Sequence, residues 1–210
     1  MEQRKILSPR KNSVITPDDI IRRVMQGQKA ALAGDHTLNP DLLPELPYRR
    51  AAVLIPVVMR DHGLSVLFTL RTAHLHAHAG QVSFPGGGAE DRDVDDIDTA
   101  LRETEEEIGL ARDRVRVVGQ MTPYVTRTRF QVSPVIGLIT PPEKWTPDSF
   151  EVAEIFEIPL DYILQDGAIE KKTVTHEGVP RCYYACLWEN HQIWGATAGM
   201  LYNFVTAIRA

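Results

Sequence analysis

A chain of 210 residues, 43% hydrophobic and 24% charged, is long enough to bury a sizeable core in one globular unit without a disulfide or structural metal to hold it. A net charge of −5, from 23 basic and 28 acidic side chains, excludes the strongly basic balance of a nucleic-acid binder. The longest apolar run, "AAVLIPVVM" at 51–59, is too short to span a bilayer.

In chain order, residues 1–16 read as a loose arm. "TPDDIIRRVMQG" (16–27) reads as a capped helix, with Pro17 at the first helical position and acids in the first turn. Residues 1–34, arm and helix, are set apart from a main domain at 35–210. Residues 34–50 are proline-rich and are expected to be irregular. "AAVLIPVVM" and "LSVLFTLR" (64–71), separated by "RDHG", signal a hairpin. "GQVSFPGGG" (80–88) reads as a short strand entering a glycine turn. A helix is expected from near Asp95 to Ile108, with Gly109 ending it. Residues 114–121 and 130–139 read as strands, 141–150 as a loop, and 151–160 as a partly alternating segment that stops at a proline. "KKTVTH" and "RCYYACLW" suggest a second hairpin around "EGVP", and 195–208 a closing helix. Strands outnumber helices, so an α/β architecture with a mixed sheet is expected.

The basic first segment lacks an apolar core, so it does not read as a signal peptide; a soluble, cytoplasmic protein is expected. Cys182 and Cys186 are the only cysteines and read as reduced thiols. The acid is concentrated: residues 90–107 hold ten carboxylates against Arg92 and Arg102. At about 100° per helical residue, Glu103, Glu106 and Glu107 share one face, while Ile97, Ala100, Leu101, Thr104 and Ile108 gather on another. Like charges at these spacings repel by a few tenths of a kcal/mol per pair, at roughly the size of i,i+4 effects. A hard divalent cation with a preference for carboxylate and phosphate oxygens reverses that sign. The preceding "FPGGG" frees the backbone for close approach to an ion. Arg102 is placed to hold that glycine segment by pairing with Asp93 or Asp95.

These pieces resemble the Nudix hydrolase family, whose signature runs G-x5-E-x7-R-E-U-x-E-E-x-G-U with U aliphatic. "RETEEEIGL" (102–110) matches its second half, with Thr104 in a usually aliphatic place. Counted from Gly87, the first-half glutamate falls on Asp93 and one extra residue precedes Arg102; counted back from Arg102, it falls on Val94. The first register is preferred because it keeps a carboxylate. Upstream, "LFTLRTAHLHAHAGQVSFPGG" (67–87) resembles the coenzyme A pyrophosphatase subgroup at Arg71, Leu75, His78, Gly80, Gln81 and Phe84.

The resemblance implies a Nudix-type α/β/α sandwich and cleavage of the diphosphate of CoA or a derivative to 3′,5′-ADP and 4′-phosphopantetheine. It implies Mg²⁺ or Mn²⁺ held by Glu103, Glu106, Glu107 and a glycine-turn carbonyl at Gly86, with Arg102 in support. The ion would neutralise phosphate oxygens and acidify a water. A box glutamate or a carboxylate on a later loop, Glu151 or Glu154, is the expected base. His78 and Gln81 are expected near the leaving group or the diphosphate, and Arg71, Arg127 and Arg129 near the 3′-phosphate of CoA. A zinc site of His74, His76 and His78 lacks a completing ligand, so a substrate-facing loop is the reading there. The partner is thus a small molecule rather than nucleic acid or membrane, and dimers are frequent in the family. Kept beside this reading are a sister hydrolase of ADP-ribose, dinucleoside polyphosphates or nucleotide sugars, a non-catalytic nucleotide-binding regulator, and a Ca²⁺-binding or purely structural acidic module.

Overall fold

Residues 51–58 are almost continuously buried, because their strand lies mid-sheet with both faces covered. The structure, a computed structural model, describes residues 15–26, 33–42, 46–75 and 78–209. The main sheet is built around β2 (Arg49–Arg60). The strand β3 (Gly63–Arg71) returns antiparallel beside it, and β8 (Phe130–Ile139) runs parallel on its other edge. The expected hairpin is therefore present, closed by Asp61 and His62.

Two short elements follow β3: β4 (Val82–Ser83), paired with β3, and β5 (Gly86–Gly88), paired with the start of β2. The glycines expected to form a turn are thus a strand. A side chain explains why only glycine fits: a Cβ at Gly86 would lie 2.4 Å from the Ala52 carbonyl oxygen.

Farther along the chain, β6 (Val115–Gln120) lies on β8, and β9 (Val152–Pro159) on β3. The two-residue strands β1 (Ala33–Gly34) and β7 (Tyr124–Val125) pair in parallel and extend the edge beyond β8. Both are too short to show periodicity. The expectation that 34–50 is irregular is corrected: Asp35–Leu38 forms a helical turn, α2, Pro40–Leu42 a 3₁₀ turn, and β2 already begins at Arg49. The sheet order is β1-β7-β8-β2-β3-β4, with β5, β6 and β9 attached to β2, β8 and β3.

The second hairpin is also larger than expected. Strands β10 (Ile169–His176) and β11 (Val179–Trp188) are joined by Glu177 and Gly178, both with positive φ. Such a two-residue turn matches the twist of paired strands. A third strand, β12 (His191–Trp194), completes a separate sheet. Cys182 and Cys186 are both free thiols; four residues apart on one strand, they stand about 13 Å apart, beyond disulfide reach.

Helices cover both faces. On one, α3 (Asp96–Ile108) packs Ala100 and Ile108 onto Ala52, Leu54 and Leu67. On the other, α1 (Pro17–Gln26) contributes Ile20 and Val24, and α5 (Gly195–Arg209) contributes Leu201, Phe204 and Ile208. Cys186 and Ile193 of the smaller sheet join that second core. A one-turn helix, α4 (Leu160–Ile163), follows β9. The result is an α/β/α sandwich on a mixed sheet. The arm read at 1–16 falls almost wholly outside the described residues, as does His76.

Candidate active site

The helix α3 starts where its sequence says it must. Asp95 caps it, its carboxylate accepting the Asp98 N–H at 2.8 Å, and Gly109 ends it at φ 68°, in the left-handed region. Between these caps, Arg102 is buried and saturated with partners. Its guanidinium donates to both oxygens of Asp93 (2.8 and 3.0 Å), to the Gly88 carbonyl (3.1 Å), to Glu103 (2.9 Å) and to Glu106 (3.0 Å). The glycine strand is thus tied to the helix through Arg102. Of the two registers, the structure favours the one that places the acid at 93: Val94 is 89% exposed. Arg102 holds the Asp93 carboxyl well below the usual range.

Glu107 is buried against β5 and accepts the Gly86 N–H at 3.1 Å. Burial pushes its carboxyl up to about 7; the Gly86 N–H and Arg71 oppose that rise, and the neighbouring Glu103 and Glu151 reinforce it. Glu103 is also raised, chiefly by burial, with Arg102 opposing. Its carboxylate fills the space where a Cβ on Gly87 would stand, 2.5 Å away.

Glu106 departs from the expected convergence. Its carboxylate is drawn outward between Arg102 and Arg92, the latter at 3.2 Å, and Arg92 is held in turn by Glu90 at 2.7 Å. Consequently, among the described residues no three His, Cys, Asp or Glu side chains are gathered to hold a metal ion. The helical angles were correct; the angles alone could not show that Arg92 competes for one of the carboxylates. Arg92 was legible only as one of two arginines in the acidic segment.

The remaining donors still fit a divalent cation. Glu107 is buried and Glu103 half-buried, and the carboxyls of both are raised chiefly by that burial. The adjoining Gly87 keeps the backbone close. Hard oxygen donors of this kind suit Mg²⁺ or Mn²⁺.

Arg71, at the end of β3, faces this cluster. It lies 3.4 Å from Glu107 and 3.8 Å from Glu151, and its buried Nε has no hydrogen-bond partner. The sequence suggested Arg71 for a distant phosphate; the fold puts it beside the glutamates. Glu151 is held there by its own carbonyl, which accepts the Thr72 N–H at 2.9 Å. Glu154 points elsewhere, to His191 at 3.1 Å. His78 and Gln81 bond one another (Nδ1 to Oε1, 2.9 Å) in the turn before β4, and the Gln81 carbonyl accepts the Arg71 N–H at 3.0 Å. Arg127 and Arg129 occupy the turn between β7 and β8. The contacts described for them run to Asp35, Thr126 and Arg49, not to the glutamates. The histidine run is not a described metal site: His74 packs on Phe150, and His76 lies outside the described residues.

Comparison with known proteins agrees with this geometry. The NUDIX domain model matches residues 48–177, from just before β2 through β10. The Salmonella paratyphi B protein called "Uncharacterized Nudix hydrolase NudL" is 41% identical over 165 residues, covering 78% of this chain and 85% of its own. The protein of the same name from Salmonella newport matches equally. Among solved structures, the MutT protein of Methanosarcina mazei Go1 superposes with a TM-score of 0.51 at 18% identity, over 79% of this chain and 96% of that one, a likeness of fold. With the family model spanning more than half its length, the arginine-tied glutamate helix in place and a relative at 41% identity, the chain belongs to the Nudix hydrolase family.

Proposed function

We propose that this Nudix hydrolase cleaves the diphosphate of CoA or a CoA derivative, with a divalent ion held at Glu103 and Glu107. The observation that supports the metal site is the pair of carboxylates, Glu107 buried and Glu103 half-buried, packed against Gly86 and Gly87. Glu106 joins the pair when released from Arg92. Gly86 meets Glu107 through its N–H; its carbonyl remains the proposed backbone ligand. Mg²⁺ or Mn²⁺, when bound, supplies charge neutralisation for the diphosphate and a more acidic water.

The chain's own residues supply the rest. Arg102 clamps β5 to α3, fixing the glutamates relative to the glycines. Arg71 offers a guanidinium with an unused, buried N–H beside Glu107, suited to a phosphate oxygen. Glu151, on the loop facing the pair, takes the proton of the attacking water. Water adds across the P–O–P bond, and each product leaves with one phosphate end. The preference for CoA is supported by the 67–87 stretch, which carries Arg71 and the His78–Gln81 turn bonded to it. Arg127 and Arg129 are proposed for the 3′-phosphate.

The test is a substrate panel with Mg²⁺ and Mn²⁺: CoA, dephospho-CoA, ADP-ribose, a dinucleoside polyphosphate and a nucleotide sugar, with products resolved by chromatography. CoA should give the highest kcat/KM and release 3′,5′-ADP. Equal kcat/KM for CoA and dephospho-CoA would remove the 3′-phosphate site, and faster turnover of ADP-ribose would move the enzyme to a sister activity.

A further inference from the structure

Phe150 is 63% exposed, one residue before Glu151. A single exposed apolar side chain is ordinary. What sets this one apart is how firmly it is held and what it stands beside. Its N–H donates to the Asp148 carboxylate at 2.9 Å, and its carbonyl accepts the Thr72 hydroxyl at 2.7 Å. Asp148 hangs in turn from the catalytic helix, its N–H donating to the Glu107 carbonyl at 2.9 Å. Thr72 directly follows Arg71. The loop is therefore pinned on one side to the helix carrying the glutamates and on the other to the strand carrying the arginine.

The Phe150 ring meets a second ring. His74 lies edge-on to it, with centroids 4.8 Å apart at 61°. An edge-to-face pair leaves the face of one ring free for a third flat group. His74 also belongs to the histidine run that the metal site does not use, and its imidazole brings a hydrogen-bonding edge to an otherwise apolar surface.

From this we infer that Phe150 and His74 form a stacking platform for the nucleobase of a nucleoside diphosphate substrate. The inference rests on the proposed hydrolase site, because that site fixes where the phosphates lie. A nucleoside diphosphate carries its base one ribose away from the phosphates. Phe150 is one residue from Glu151, which faces Arg71 and the glutamates. An exposed ring on a loop pinned next to Glu151 has the planarity a base needs, and stacking accepts any base because every base has a π-face.

The experiment compares two probes, ADP and inorganic pyrophosphate, titrated calorimetrically in Mg²⁺ into the full chain and its Phe150→Ala, Phe150→Tyr and Glu107→Gln variants. The wild type should hold ADP more tightly than pyrophosphate. Phe150→Ala should weaken ADP by about 5- to 150-fold, the range of base–aromatic stacking, and leave pyrophosphate unchanged, while Phe150→Tyr keeps the ADP advantage. Equal ADP affinity in wild type and Phe150→Ala would overturn the platform. So would an equal loss for both probes, which marks a loop held together by the ring. Failure of the underlying site looks different: pyrophosphate would bind the wild type and Glu107→Gln alike, or bind neither.

Discussion

At the scale of single residues, Glu107 concentrates the conflict between folding and chemistry. Its carboxyl is raised to about 7 by burial, so the folded, metal-free protein binds a proton there more tightly than the unfolded chain does. The contribution to stability is complete below the ordinary carboxyl value of 4.5 and is lost as pH rises through about 7. The span corresponds to at most about 3.5 kcal/mol. In EDTA, the wild type should therefore lose thermal stability between pH 5 and 8, roughly the interval over which such a group titrates. Glu107→Gln, neutral throughout, should lose much less and be the more stable protein at pH 8. The same substitution should lower kcat by about 10²-fold or more, as loss of a charge-stabilising group does. Near-wild-type turnover would remove Glu107 from the metal site. Glu151→Gln should likewise depress kcat more than KM and flatten the acid limb of the pH–rate profile; an unchanged profile would place the base elsewhere. The "RE" and "EE" pairs proposed for these roles were legible in the sequence, because a helix's 100° step follows from local geometry. The outward turn of Glu106 was not, since it depends on Arg92 reaching across from a loop.

At the scale of elements, the glycine strand β5 shows how adjacent identical residues serve different ends. A Cβ at Gly86 would strike backbone, the Ala52 carbonyl oxygen at 2.4 Å and the Val53 Cα at 2.6 Å, in a backbone conformation of φ 150° that side chains rarely adopt. At Gly87 it would strike only the flexible end of Glu103. Gly86→Ala should therefore cost about 2–3 kcal/mol and lower Tm by roughly 4–12 °C for a chain of this size. Gly87→Ala should fold with little change in Tm while lowering kcat, because Glu103 must move. Thermal melts beside steady-state kinetics would separate the two, and equal losses of Tm would overturn the distinction. "GGG" announced backbone freedom. That it pairs as a strand with Ala51–Val53 was hidden, because pairing is made with residues far away in sequence.

Across the whole molecule, α5 decides whether the site-bearing sheet has a second face at all. Phe204 is fully buried and joins a core shared by α1, the main sheet and the smaller sheet of β10 to β12. Phe204→Ala should cost about 3–5 kcal/mol and lower Tm by roughly 6–20 °C, with KM unchanged, since α3 packs on the opposite face. A shift in KM comparable to the loss of Tm would show that the two faces are coupled. The matched family region ends within this architecture, at residue 177, and β11, β12 and α5 follow it and close the second core. Among the described residues no helix is long and apolar enough to cross a membrane.

The sequence by itself determined the glutamate helix with its closing glycine, a pairing of Arg102 with Asp93 or Asp95, the β2–β3 hairpin and the closing helix. Each of these rests on near neighbours: side-chain spacing on one helix, a capping residue beside its turn, an apolar run long enough to declare a buried strand. Only the tertiary structure decided that Arg71 and Glu151 meet the glutamates, that Glu106 is shared between Arg92 and Arg102, and that Phe150 stands beside His74. The contacts of Arg71 with Glu107 and with Glu151 join segments 36 and 80 residues apart. Burial and charge are settled there by what the sheet brings together, and no local periodicity carries that information.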